Sequence, residues 1–192
     1  MTLDKRLLEL EILFVEDDVV LNAMVSDALG MLGFKLTTAK NGEEGLKLFE
    51  SKVFDVVLSD INMPIMDGLT MSQAIREINK QVPIVLLSAH NEADYLLQSI
   101  SLGINGYLVK PAAVKEIIAQ LARVMEPIFA KSDFNENSKQ WTHDLMLVHS
   151  IAANLKSKNP ADESFEVFMA ERLDKIISIT KSLSQSISKL AD

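Results

Sequence analysis

Five polar residues in this chain stand directly after short apolar runs, at places where a folded sheet could bring them together. Glu16 and Asp17 follow EILFV, Asp60 follows FDVVLS, Ser88 closes PIVLLS, and Lys110 follows YLV. An acid at the carboxyl end of a buried parallel strand lies where open α/β sheets hold their ligands. Carboxylates crowded there repel one another and resist ionisation unless a cation joins them. The set contains no His or Cys, so its donors are all oxygen, which selects Mg²⁺ or Mn²⁺ over zinc or copper. A carboxylate beside such an ion can attack phosphorus and hold the resulting acyl phosphate. The metal and Lys110 would neutralise the transferred oxygens, and Ser88 would donate a hydrogen bond to one of them.

The elements that must position these groups are legible from periodicity. Strand-like runs are expected at 11–15, 34–39, 54–59, 83–88 and 107–109. Apolar residues at helical spacing predict helices at 19–32, 43–50, 69–78, 93–102 and 113 to about 130, the last with Val114, Ile117, Ile118, Leu121 and Met125 on one face. Five strand–helix alternations with short connections predict an α/β fold, a doubly wound five-stranded parallel sheet with helices on both faces. All five polar residues then fall on one edge of that sheet.

Composition narrows the remaining classes. The chain has 192 residues, 48% of them hydrophobic, enough for one ordinary domain and a smaller second unit. Of its 19 basic and 27 acidic residues, eight and nine fall in 131–192, so the excess of acid sits in 1–130. Neither part has the basic footprint of a nucleic-acid binder. No apolar run approaches the roughly 20 residues of a membrane helix. The start MTLDKRLLELE lacks the pattern of a secretory signal, and the absence of cysteine suits a reducing cytoplasm. A soluble cytoplasmic protein without nucleic-acid or membrane partners is expected.

EILFVEDD, LSDINMPIMDG, LLSA and GINGYLVKP, in that order and spacing, resemble the response-regulator receiver domain of two-component signalling over about residues 9–128. The resemblance implies a flavodoxin-like receiver at 1–130, with Asp60 as phosphoacceptor and Mg²⁺ as cofactor. It implies metal ligation by Glu16 (through water), Asp17, Asp60 and the backbone carbonyl of Asn62. Lys110 would pair with the phosphoryl group, and Lys110–Pro111 would be a cis peptide. Ser88 and Tyr107 would form the switch pair, Ser88 moving toward the phosphate and Tyr107 turning inward. Asn62 and His90 occupy the two positions where the family tunes acyl-phosphate lifetime. The implied partner is a cognate sensor histidine kinase, and the implied role is signalling rather than enzymatic.

Beyond the sheet, 131–139 is polar and aperiodic and is expected to be a linker. Two heptad seams follow at 140–192: Trp141, Leu145, Val148, Ala152 and Leu155, then Met169, Leu173, Ile176, Thr180, Leu183, Ile187 and Leu190. Asn159–Pro160 separates them, and Asp162–Glu163–Ser164 can open the second helix, whose residues 165–190 would span roughly 39 Å. An antiparallel hairpin buries too little by itself, so a homodimeric four-helix bundle is expected. LMLVHSIAANL and FEVFMAERLDKIISITKSL resemble the dimerisation and phosphotransfer hairpin of HWE-like sensor histidine kinases. That alignment puts Lys139 at the family's histidine, removing its chemistry. Thr142-His143-Asp144-Leu145 looks like the start of a kinase H-box, with His143 on an outward heptad position; His149 flanks the seam as a packing residue. The leading expectation is a response regulator whose Asp60 controls the helical module. The alternatives are a relay between Asp60 and His143, or a transcription regulator with an unusual output domain. No Gly-rich nucleotide-binding segment occurs in 131–192, so self-phosphorylation from ATP is not expected.

Overall fold

A strand buried on both faces must be largely apolar, and β1 (Glu11–Val15), β3 (Val56–Asp60) and β4 (Ile84–Ser88), apolar except at their ends, are the central strands of the sheet. The computed structural model describes residues 4–89 and 99–158, together with Asp174, Lys175, Ser178 and Lys181. β2 (Lys35–Ala39) and β5 (Gly106–Val109) are the edges, and the order is β2-β1-β3-β4-β5, all parallel. This is the doubly wound order whose direction reverses beside β1 and β3, and the ligand crevice belongs at that reversal. The register places Val15 against Ser59, Asp60 against Leu87, and Ser88 against Val109. The carboxyl ends therefore align on one edge, as the strand pattern predicts.

Local chemistry sets the helix starts. Asp18 caps α1 (Val19–Met31) by accepting from the N–H groups of Val20 and Leu21. Asn41 caps α2 (Gly42–Ser51), and Asp67 caps α3 (Gly68–Ile78) by accepting from Thr70 N–H at 2.7 Å. Each cap stands within two residues of a strand end or site loop, so the same short polar segments stop a strand and start a helix. A 3₁₀ turn at Lys5–Glu9, absent from the periodicity reading, buries Leu7. Leu13, Val15, Val57, Ile61, Met71, Ile75, Ile84 and Leu86 form the core on one side of the sheet, with Tyr107 packed against it. Each fully buried aliphatic side chain contributes about 1.5–3 kcal/mol.

The amino end of β5 is held by Arg76. Its guanidinium donates to the carbonyls of Val82 (2.7 Å), Gly103 (3.0 Å) and Leu102 (3.2 Å), and to Asn105 Oδ1 (3.1 Å). Asn105 in turn exchanges hydrogen bonds with Ile84 at the start of β4. Burial of this guanidinium lowers its pKa, and its partners are carbonyl oxygens rather than a carboxylate.

The chain divides into two compact units at Pro127/Ile128. The expected helix from 113 to about 130 is instead one long helix, Val114–Lys158, with Pro127 inside it. Residues 131–139, expected as an aperiodic linker, are therefore helical. Their inward-facing positions, Lys131, Phe134 and Ser138, are spaced three and four apart but are mostly polar, so hydrophobic periodicity is silent there. The first half of the expected hairpin belongs to this helix. The 159–164 break and helix 165–190 lie outside the described residues, apart from Asp174, Lys175, Ser178 and Lys181, which are helical and exposed. The fourth predicted helix, 93–102, is described only from residue 99, and His90 lies outside the described residues. No helix among the described residues is long and apolar enough to cross a membrane.

Candidate functional site

Parallel register delivers the predicted residues to one place. Glu16 and Asp17 follow β1, Asp60 is the last residue of β3, Ser88 is the last of β4, and Lys110 follows β5. Ligand oxygens of Glu16, Asp17 and Asp60 all lie within 4.8 Å of one another. Glu16 is 1% exposed and Asp60 6%. Lys110 Nζ reaches both, at 2.6 Å from Glu16 Oε2 and 2.8 Å from Asp60 Oδ2. The resemblance assigns Lys110 to a phosphoryl group; in this structure its Nζ lies between the two buried acids.

Burial sets the electrostatics. It pushes the Glu16 carboxyl above the ordinary glutamate range, and the Asp60 charge adds to the effect. The hydrogen bond and charge of Lys110, with the Asp18 backbone N–H, only partly offset it. For Lys110, burial works against the ammonium, but hydrogen bonds to Asp60 and Glu16 and their charges prevail and raise its pKa. An apolar cleft of about 310 Å³, lined by Leu21, Val25, Pro111 and Ile117, flanks Glu16 and Lys110 and keeps their surroundings poorly solvated.

The acid cluster fits a hard divalent cation. Its three carboxylates supply oxygen alone, at mutual distances one ion can span, and among the described residues only Lys110 forms an ion pair with them, which leaves the group short of positive charge. Asn62 stands two residues past Asp60, lining a second cleft of about 340 Å³ with Asp67, Thr70 and Gln73. Ser88 is fully buried at its strand end, and Lys110 N–H donates to its carbonyl at 2.7 Å. Tyr107 is half-buried in β5. The Lys110–Pro111 peptide is cis. His143 lies on the long helix, exposed and away from the sheet residues in sequence, within the second unit.

The loop after Asp60 shows features no motif predicts. Asp60 Oδ1 accepts from Ile61 N–H at 2.7 Å, leaving Oδ2 toward Lys110. Gly68 N–H donates to the Ile61 carbonyl at 2.8 Å, closing the loop on itself, and Gly42 N–H donates to the Met66 carbonyl at 3.0 Å. A Cβ at Gly68 would sit 2.1 Å from the Asp60 carbonyl oxygen, and one at Gly42 would sit 2.6 Å from that of Met66. Both positions are legible only as glycines; what they brace is not.

A parallel sheet of order β2-β1-β3-β4-β5 with an acid-lined carboxyl edge defines a flavodoxin-like domain, and comparison with known proteins narrows the class. The family described as the response regulator receiver domain matches residues 12–122, more than half of the chain, and the chain belongs to that family. It is similar to the probable chemotaxis protein CheY of Rhizobium etli, 34% identical over 119 residues covering 60% of this chain and 92% of that protein. It is 36% identical to the probable transcriptional regulator ycf27 of Guillardia theta over 115 residues, 60% of this chain and 45% of that one. The response regulator TrrA of Thermotoga maritima, solved in complex with Mg(2+)-BeF, matches with a TM-score of 0.55 and 32% identity, covering 59% of this chain and 97% of that one. The match thus spans between about a quarter and about half of the length of the transcriptional regulators it is similar to.

Proposed function

We propose that this chain accepts a phosphoryl group on Asp60 from a sensor histidine kinase and uses the modified receiver to switch its 140–192 helical module. The observation that carries the reading is Lys110 Nζ held between Asp60 and Glu16 beside Asp17. An Asp60 oxygen forms the new O–P bond while the P–N bond of the donor phosphohistidine breaks, the electron pair leaving with the imidazole. Ile61 N–H fixes the Asp60 carboxylate plane, so the attacking oxygen is presented rather than free to rotate. Lys110 exchanges a carboxylate partner for a phosphoryl oxygen, and Ser88 donates to another. Mg²⁺, held by Asp17 and Asp60, by the Asn62 carbonyl and through water by Glu16, would supply charge neutralisation of the transferred oxygens. Tyr107 then follows Ser88 inward, repacking the surface around β5.

On this reading the domains are a receiver at about 1–130 and an output module at 140–192 that pairs with a second copy. The four exposed helical residues Asp174, Lys175, Ser178 and Lys181 avoid the expected seam, which supports an amphipathic second helix. Exposure of His143 on a helix keeps the relay reading alive as the alternative. Treatment with acetyl phosphate or BeF₃⁻ plus Mg²⁺ should modify the wild type and leave Asp60→Asn unmodified, with a change in solution mass or module exposure. If both proteins are equally inert, the reading is wrong. Radiolabel that survives alkali and disappears in His143→Ala would replace it with the relay.

A further inference from the structure

The side of α1 that faces the sheet breaks its apolar pattern near its start. Val25 and Leu29 are buried there, as a helix packed on strands requires, but Asn22, one turn before Ser26, is polar and half-buried. Asparagine favours caps and turns over helix interiors, and Asp18 already caps this helix, so neither propensity nor capping accounts for it. Its hydrogen bonds do. The amide Nδ2 donates to the Glu16 carbonyl at 3.0 Å and to the Ala39 carbonyl at 3.2 Å. The Ser26 hydroxyl donates to Asn22 Oδ1 at 3.4 Å, an arrangement that points the amide nitrogen toward the strand ends.

Those bonds grip the segment that carries the acid pair. Between Val15, the last residue of β1, and Val19, the first of α1, stand only Glu16, Asp17 and Asp18. The first two belong to the carboxylate cluster, and the third is the helix cap. Glu16 N–H donates to the Ala39 carbonyl at 3.1 Å, so the Glu16 backbone is tied on both sides, its amide to the end of β2 and its carbonyl to α1. Asn22 is itself anchored by its N–H, which donates to the Asp18 carbonyl at 2.8 Å. The Glu16 carbonyl lies in the peptide plane that joins Glu16 to Asp17, and a planar peptide moves as one piece. Holding that carbonyl therefore fixes the direction in which the Asp17 Cα leaves the strand. Magnesium demands near-octahedral oxygens at about 2.0–2.1 Å, so small displacements of a ligand count.

We infer that Asn22 is a positioning residue for the divalent-cation site, holding the Glu16–Asp17 peptide so that the Asp17 carboxylate meets the ion beside Asp60. It touches neither the metal nor the phosphoryl group and acts through the main chain of the acid pair. Removing a group that orients a metal ligand by hydrogen bonding lowers metal affinity by about 10–100-fold. Here the bond goes to the backbone rather than to the carboxylate, which places the effect at the lower end of that range. The inference rests on the reading that Glu16, Asp17 and Asp60 hold Mg²⁺, and the experiment separates the two.

Mn²⁺ binding to EDTA-stripped, full-length protein is read from the loss of the free-ion electron paramagnetic resonance signal, and Mg²⁺ binding by competition. Wild type is compared with Asn22→Leu, Asn22→Ala, Asn79→Ala and Asp17→Asn. Leucine keeps the volume of the asparagine and alanine removes it, so a loss common to both reports the missing amide donors. Asn79 is a comparable residue at the opposite edge of the sheet, where its Oδ1 accepts from Gln81 N–H at 2.8 Å and Val82 N–H at 3.1 Å. Urea unfolding in EDTA gives the stability of each variant without metal and shows which are folded. Both Asn22 variants should bind metal about tenfold more weakly than wild type. Asn79→Ala should lower the urea midpoint yet bind within about twofold of wild type, because a distant site acts independently. Wild-type affinity in a folded Asn22 variant overturns the inference. So does a loss in Asn79→Ala as large as theirs, which would assign the effect to general loosening. Failure of wild type to bind either ion, or unchanged binding by Asp17→Asn, refutes the metal-site reading and the inference with it.

Discussion

Replacing Gly68 with alanine tests whether the acceptor loop is braced as tightly as its contacts indicate. The new Cβ would lie 2.1 Å from the Asp60 carbonyl oxygen, 3.0 Å from its carbon and 3.1 Å from Ile61 Cα. Ordinary contact begins at 3.4 Å, so the backbone must yield by about 1.3 Å. All three atoms are main chain, and no rotamer change relieves them. Overpacking of this sort costs about 1–3 kcal/mol. The shift also strains the Gly68–Ile61 and Ile61–Asp60 hydrogen bonds, at about 0.5–1.5 kcal/mol each. Alanine's better helix propensity returns up to about 1 kcal/mol at this first position of α3. The net expectation is a loss of about 1–5 kcal/mol, with phosphorylation slower by about 100-fold because a carboxylate displaced by an ångström no longer attacks in line. Urea unfolding should be followed by circular dichroism, since the single tryptophan, Trp141, lies outside the sheet unit. Phosphorylation by acetyl phosphate is read by intact mass. Gly30→Ala, whose Cβ meets nothing within 4 Å, is the control and should be neutral or slightly stabilising. A Gly68→Ala protein within about 0.5 kcal/mol of wild type, with an unchanged rate, would refute the steric argument.

Lys110→Met should leave Glu16 and Asp60 facing each other without their shared cation, costing about 3–5 kcal/mol. Added Mg²⁺ should then raise the variant's urea midpoint more than that of wild type; an equal rise would show that the lysine and the metal do not neutralise the same charges. For Glu16 the folded pKa is raised above its unfolded value near 4.5, chiefly by burial, so the folded state holds its proton more tightly. Its stabilising contribution is complete below pH 4.5 and is lost as pH rises through the raised value. In EDTA, the stability of wild type minus that of Glu16→Gln should therefore fall as pH rises through this window. A difference that grew with pH would contradict the burial argument.

The sheet and most of the site are legible in sequence because their signals are local. An unbroken apolar run followed by acid, as at VVLSD, reports both a buried strand and the polar edge where it ends. Asp60 itself ends the strand inside the sheet, one residue later than the apolar run suggests, because its backbone still pairs with β4. What stays hidden depends on contacts between distant segments. Arg76 looks like any surface arginine on α3 until the 102–105 turn folds over it. Ile65 looks like loop filler, since nothing in Pro-Ile-Met announces its φ of +70°, where glycine or asparagine would have done so. The 131–139 stretch misleads for the opposite reason: a helix whose inward positions are Lys131 and Ser138 offers no apolar rhythm to read.

The double anchorage of β5 carries a mechanical implication. This four-residue edge strand is tied at its entry by Arg76 through Gly103 and Asn105, and at its exit by Lys110 to two acids. The entry tether involves no group that phosphorylation would change, whereas the exit tether is the one that would be re-tied. The strand behaves as a string clamped at one peg and tuned at the other. On the proposed phosphorylation, a shift at Lys110 would fall on a strand clamped at its entry, and Tyr107 lies between the two pegs.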